Sequence, residues 1–121
     1  MVCILLADDD AATRDLISRA LSADGHRMIL TQDGQEALDR LLADPDGIDV
    51  LISDVQMPAL DGIALAERAL AAAPALRVLL ISGFEGGFER AGSLPAARVR
   101  KVSKPLTLEQ VRAEVRGLLT R

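Results

Sequence analysis

The chain has 121 residues, half of them hydrophobic, and a formal charge of −4 at pH 7. That is the sequence of one domain, with enough apolar side chains for a core that needs no disulfide. With no basic stripe and only two aromatics, Phe84 and Phe88, the composition excludes nucleic-acid binding by charge or by base stacking.

The single cysteine, Cys3, cannot pair within the chain and reads as a small buried residue of a reducing compartment. No apolar run nears the ~20 residues of a membrane span. The N-terminus runs straight into a strand-like segment, without a signal-peptide pattern. The expected location is the cytoplasm, with neither nucleic acid nor membrane as a partner.

In chain order, strand-like runs alternate with helix-like ones. Residues 3–7 are an apolar strand that ends in Asp8, Asp9 and Asp10. Residues 11–23 have helical periodicity, with Leu16, Ile17, Ala20 and Leu21 on one face. Asp24-Gly25 stops that helix. Residues 26–31 form a second, more polar strand. Asp33 caps the next helix and Glu36 completes a capping box. Its inward positions are Ala37, Leu38, Leu41 and Leu42, and it ends before Pro45. Residues 49–53 form the third strand, an apolar run that ends in Asp54.

Asp61-Gly62 reads as turn and helix-start chemistry for a helix over 63–73, ended by Pro74. Residues 77–81 form the fourth strand and deliver Ser82. The pattern then weakens. Gly83, Gly86, Gly87, Gly92 and Pro95 leave room only for a short, poorly held helix near 88–91. Residues 99–102 form the fifth strand, ahead of Lys104. Thr107 to Gln110 is a capping box that opens a last helix, with Val111, Val115, Leu118 and Leu119 as its inner face.

This alternation, with near-continuous apolar strands, implies an α/β fold of the flavodoxin-like (βα)5 type. It is a doubly wound five-stranded parallel sheet of strand order 2-1-3-4-5, spanning residues 1–121 as one domain. Ligands of such sheets bind at the carboxyl ends of the strands, at the switch point between the first and third. Those two strands end in acids. Asp8, Asp9 and Asp54 converge there, and three carboxylates repel unless something compensates. Mg²⁺, a hard cation that takes oxygen ligands and also accepts phosphoryl oxygens, is the natural counter-ion. Asp54 is placed to act as a nucleophile that carries a phosphoryl group. Lys104 supplies a point charge for a phosphoryl oxygen and the Ser82 hydroxyl a donor for another.

Asp8-Asp9, Asp54 with Met57-Pro58 and Asp61-Gly62, Ser82-Gly83, and Lys104-Pro105 together resemble the receiver domain of bacterial response regulators, the CheY-like family. The likeness covers the whole chain. It implies that Asp54 is the phosphoacceptor for a phosphohistidine of a sensor histidine kinase or phosphotransfer protein. It also implies that Asp9 ligates Mg²⁺ directly, that Asp8 acts through metal-bound water, that the backbone carbonyl of Gln56 completes the protein ligands, and that Ser82 and Lys104 read the phosphate. A cis Lys104–Pro105 bond is implied as well. With no residues left for an output domain, the expectation is a stand-alone regulator that signals to an unknown protein target. It would catalyse only its own phosphorylation and dephosphorylation. Ile81-Ser82-Gly83-Phe84 and the 101–105 stretch are similar to the CpdR branch, whose members act as adaptors in controlled proteolysis.

One departure concerns the switch. Many receivers carry Tyr or Phe three residues before the site lysine, and here that position is Lys101. Phe84 or Phe88 would substitute, or the segment from Gly83 to Arg98 would be mobile without phosphate and quieten with it. The alternative function is a haloacid-dehalogenase-like phosphatase, with Asp8-x-Asp10 as its signature and Asp8 as nucleophile. Ala12 in place of that signature's Thr or Val, and the short chain, weigh against it.

Overall fold

The structure, a computed structural model, describes residues 2–83, 94–105 and 107–120. Five parallel strands, β1 (Cys3–Ala7), β2 (Arg27–Thr31), β3 (Val50–Asp54), β4 (Arg77–Ser82) and β5 (Val99–Ser103), pair in the order β2-β1-β3-β4-β5. Four helices cover them: α1 (Ala11–Ala23), α2 (Gly34–Ala43), α3 (Gly62–Ala72) and α4 (Leu108–Leu119). The expected fold class and strand order are what the structure contains. The short helix expected near 88–91 lies outside the described residues, as does most of the segment expected to respond to phosphate.

Strand alternation sorts the core into two layers. Leu5, Leu51, Val78 and Leu80 pack with Leu38, Leu41 and Ile63 of α2 and α3. Ile4, Leu6, Val50, Ile52 and Leu79 pack with Ile17, Leu21, Val111 and Val115 of α1 and α4. β1 is buried on both faces along its whole length, which is why it reads as a continuous apolar run rather than an alternating one. Each such Leu or Ile stabilises the fold by about 1.5–3 kcal/mol.

The helices begin where the capping side chains say they should. Asp10 accepts the Ala12 N–H, Asp33 the Glu36 N–H, and Asp61 those of Ile63 and Ala64. Thr107 and Gln110 cap each other's backbone reciprocally. One box differs from expectation: the Glu36 carboxylate reaches the Gln32 N–H at 2.8 Å, one residue before the cap. Three leucines expected to face inward do not. Leu16 and Leu42 are each 53% exposed and Leu119 is also exposed. Leu16 precedes the buried Ile17, and Leu42 and Leu119 follow the buried Leu41 and Leu118; a one-residue step rotates a side chain by roughly 100° around the helix. All three therefore sit at the rim of the apolar stripe.

Candidate functional site

β1 and β3 are neighbours, with Ala7 opposite Ser53. The next residue on each strand's path is an acid, so Asp8 and Asp54 meet at the carboxyl edge, and Asp9 follows. Carboxylate oxygens of Asp8, Asp9 and Asp54 all lie within 4.8 Å of one another. Asp8 is 2% exposed, and Asp9 faces solvent. Lys104 Nζ stands 2.9 Å from Asp54 Oδ2, with 11% of the Asp54 side chain and 34% of the Lys104 side chain exposed. The other Asp54 oxygen, Oδ1, accepts the Gln56 N–H at 3.3 Å. Asp8 Oδ1 accepts the Asp10 N–H at 2.9 Å.

Three carboxylates thus crowd together, with one ammonium on Asp54. Burial pushes the Asp8 carboxyl above the usual carboxylate range. The neighbouring Asp54 and Asp9 charges push the same way, and the Asp10 N–H and Lys104 offset this only in part. For Lys104, burial favours the neutral amine, but the Asp54 hydrogen bond and charge, with Asp8 and Asp10 beyond, outweigh it and raise the pKa. Lys104 therefore stays an ammonium throughout the neutral range. Hard oxygen donors crowded in this way are the donor set that Mg²⁺ takes, so the side chains present fit that ion.

Ser82 ends β4 fully buried, opposite Ser103 of β5, and its carbonyl accepts the Lys104 N–H at 2.7 Å. The backbone therefore brings Ser82 and Lys104 to the same edge. The Lys104–Pro105 bond is cis, as the resemblance implied. Asp10 stands apart from the cluster: its carboxylate accepts the Ala12 N–H at 3.2 Å and the Thr13 hydroxyl at 2.6 Å. The Asp10 carboxylate invoked by the phosphatase alternative is thus engaged at the start of its own helix.

Residues 4–116 match the family model described as the response regulator receiver domain. The chain belongs to that family. This receiver, a signalling domain of two-component systems, is 37% identical to the response regulator MprA of Mycolicibacterium vanbaalenii across 99% of its own length and 51% of that protein. It is likewise 37% identical to MprA of Mycobacterium tuberculosis, again over 99% of this chain and 51% of the relative. The chain therefore spans about half the length of these curated relatives. Among solved structures, it is similar to the receiver domain from the hybrid histidine kinase CckA, at 32% identity and a TM-score of 0.81, covering 97% of this chain and 98% of that one. A response regulator receiver protein from Sinorhizobium medicae gives 27% identity and a TM-score of 0.87, covering 98% and 94%.

Several residues that shape this receiver's edge escaped the sequence reading. Gly62 is more than a helix start. A Cβ there would stand 2.2 Å from the Asp54 carbonyl oxygen, and its N–H donates to the Val55 carbonyl at 2.8 Å. Val55 in turn donates to the Ile81 carbonyl at 2.8 Å. The backbone of Asp54 is thus pinned between β4 and the first turn of α3. The one signal available was a glycine at the opening of an otherwise alanine-rich helix. Ala59, with φ 71°, centres a three-residue turn closed by the Leu60 N–H on the Pro58 carbonyl at 2.8 Å, the strained form of the γ-turn. Nothing in its identity announced that. Gly34 exists for the same loop: a Cβ there would stand 1.8 Å from the Leu60 carbonyl oxygen.

Beside Lys104 and Pro105, an open groove of about 400 Å³ runs between α1 and α4, lined by Leu16, Ile17, Ile81, Leu108 and Val111. Leu16, misassigned to the core, is one of its walls. Lys101 is exposed on the edge strand β5. Among the described residues no helix is long and apolar enough to cross a membrane.

Proposed function

We propose that Asp54 accepts a phosphoryl group from the phosphohistidine of a sensor histidine kinase or phosphotransfer protein. An Asp54 carboxylate oxygen forms the new O–P bond as the P–N bond to the donor imidazole breaks, and the imidazole leaves with the bonding pair and takes up a proton. The observation that carries this reading is the convergence of three carboxylates at the carboxyl edge of β1 and β3, with Lys104 paired to Asp54. Asp8, Asp9, Asp54 and the backbone carbonyl of Gln56 would hold Mg²⁺, which supplies the charge neutralisation that lets an anionic phosphoryl group approach an anionic edge. Lys104, already at Asp54, provides a point charge for one phosphoryl oxygen. The Ser82 hydroxyl provides a donor for another. The contribution of the chain is orientation and preorganised charge, the terms that dominate phosphoryl transfer.

The same reading makes this receiver domain signal through contact with a protein target. The CpdR-like adaptor role rests on the stretches at 81–84 and 101–105.

The test is to incubate the chain with acetyl phosphate and Mg²⁺, trap the acyl phosphate by reduction, and map it by mass spectrometry. The label is expected on Asp54. A label on Asp8 would instead support the phosphatase reading.

A further inference from the structure

We propose that Arg14 is a positioning residue for the acidic cluster, an assignment that rests on the reading of that cluster as a Mg²⁺ and phosphoryl site. Arg14 lies in the first turns of α1, where its N–H donates to the Asp10 carbonyl at 2.9 Å. Its guanidinium turns back over the helix start, and Nη1 donates to the Asp8 carbonyl oxygen at 2.7 Å. That carbonyl belongs to the peptide that joins Asp8 to Asp9.

Asp8 has other restraints. Its N–H donates to the Thr31 carbonyl at 3.2 Å, and its carboxylate holds the Asp10 N–H. Asp9 has no such support: it is exposed, and no hydrogen bond to its carboxylate occurs among the described residues. What fixes its direction is the peptide before it. A peptide is planar and rigid, so an arginine that holds the Asp8 carbonyl also sets how the Asp9 Cα leaves that plane. Arg14 thus aims the exposed carboxylate toward the two inner ones. The planar guanidinium, one of whose donors is already engaged, suits this task better than a flexible ammonium.

The geometry gives Arg14 two effects on a cation at the cluster, and they have opposite signs. Its charge repels the cation, whereas its hydrogen bond preorganises the ligands. If charge dominated, removing Arg14 would tighten Mg²⁺ binding. If positioning dominates, removal weakens it. Residues that orient metal ligands typically change affinity by about 10- to 100-fold, and a partly solvated charge acts more weakly than that.

The experiment is a calorimetric titration of the folded chain with Mg²⁺ for the wild type, Arg14→Ala and Arg14→Lys, with thermal melts of each in EDTA. Arg14→Ala is expected to bind Mg²⁺ about 10-fold more weakly. Arg14→Lys, which keeps the charge and one donor, is expected to fall between it and the wild type. Arg14→Lys also serves as the deciding variant should Arg14→Ala fail to fold. If the wild type binds Mg²⁺ and the variants bind as tightly or more tightly, the assignment of Arg14 is overturned while the site stands. If the wild type itself gives no binding, the reading of the site fails and this assignment fails with it.

Discussion

The two rims of the same sheet treat acids in opposite ways. At the amino rim, Asp49 gives a carboxylate oxygen to the Cys3 N–H at 2.9 Å, and His26 Nδ1 accepts the Val2 N–H at 3.3 Å. Arg98 caps the carbonyls of Leu76 and Ala73 at 3.0 and 2.6 Å. Each polar group there closes a loop or completes a strand end. At the carboxyl rim, Asp8, Asp9 and Asp54 face one another, and Lys104 pairs with Asp54. Asp8 and Asp54 also accept backbone N–H groups, but the crowding of three carboxylates opposes folding and calls for a counter-charge.

The largest expected effect breaks this contrast at its centre. Asp54→Asn should reduce labelling by acetyl phosphate to background, whereas Asp49→Asn at the other rim should label like the wild type, as read by an acid-labile radioactive assay. Equal loss in both would mean that the two rims are not functionally distinct.

Lys104→Met tests the ammonium paired with Asp54. Breaking a fully buried pair costs about 3–5 kcal/mol, but Lys104 is one-third exposed, so solvent screening brings the expected loss to about 1 kcal/mol in urea melts without Mg²⁺. Because the folded-state pKa of Lys104 is raised, this contribution should be complete at neutral pH and vanish only as pH rises past the ordinary lysine range.

Asp8→Asn sharpens the contrast through its sign. The raised pKa of Asp8 means that its ionised form opposes folding, so the wild type loses relative stability as pH rises from the ordinary carboxylate value through the shifted one. The variant can still accept the Asp10 N–H. In EDTA it should match the wild type at acid pH and exceed it at neutral pH. The smallest effect is expected at Ala59. Relieving a left-handed φ of 71° with Ala59→Gly should add about 1 kcal/mol or less, since glycine avoids the Cβ clash but frees the unfolded chain.

Most of the architecture was legible because its signals are local and strong. β1 and β3 announce themselves as buried strands, and Asp10, Asp33, Asp61 and Thr107 mark four helix starts within a residue. The acids could be placed together because parallel topology sends every strand's carboxyl end to one edge. What stayed hidden depends on contacts that sequence spacing does not encode. The clearance between Gly62 and the Asp54 carbonyl, the Leu60 carbonyl against Gly34, and the reach of Arg14 back to Asp8 are all close approaches between segments. Leu16 and Leu42 were misplaced because helical periodicity defines a stripe but not how far the neighbouring element covers its rim. The switch expected between residues 83 and 98 falls mostly on residues outside those described.

Thermal unfolding of the wild type as a function of Mg²⁺ concentration tests the central claim most directly. A ligand that binds only the folded state raises its melting temperature with concentration. The account predicts a saturable rise in Tm for the wild type, abolished in Asp54→Asn and Asp9→Asn and preserved in Asp49→Asn. A melting temperature indifferent to Mg²⁺, or a rise that survives loss of Asp54 and Asp9, would contradict it.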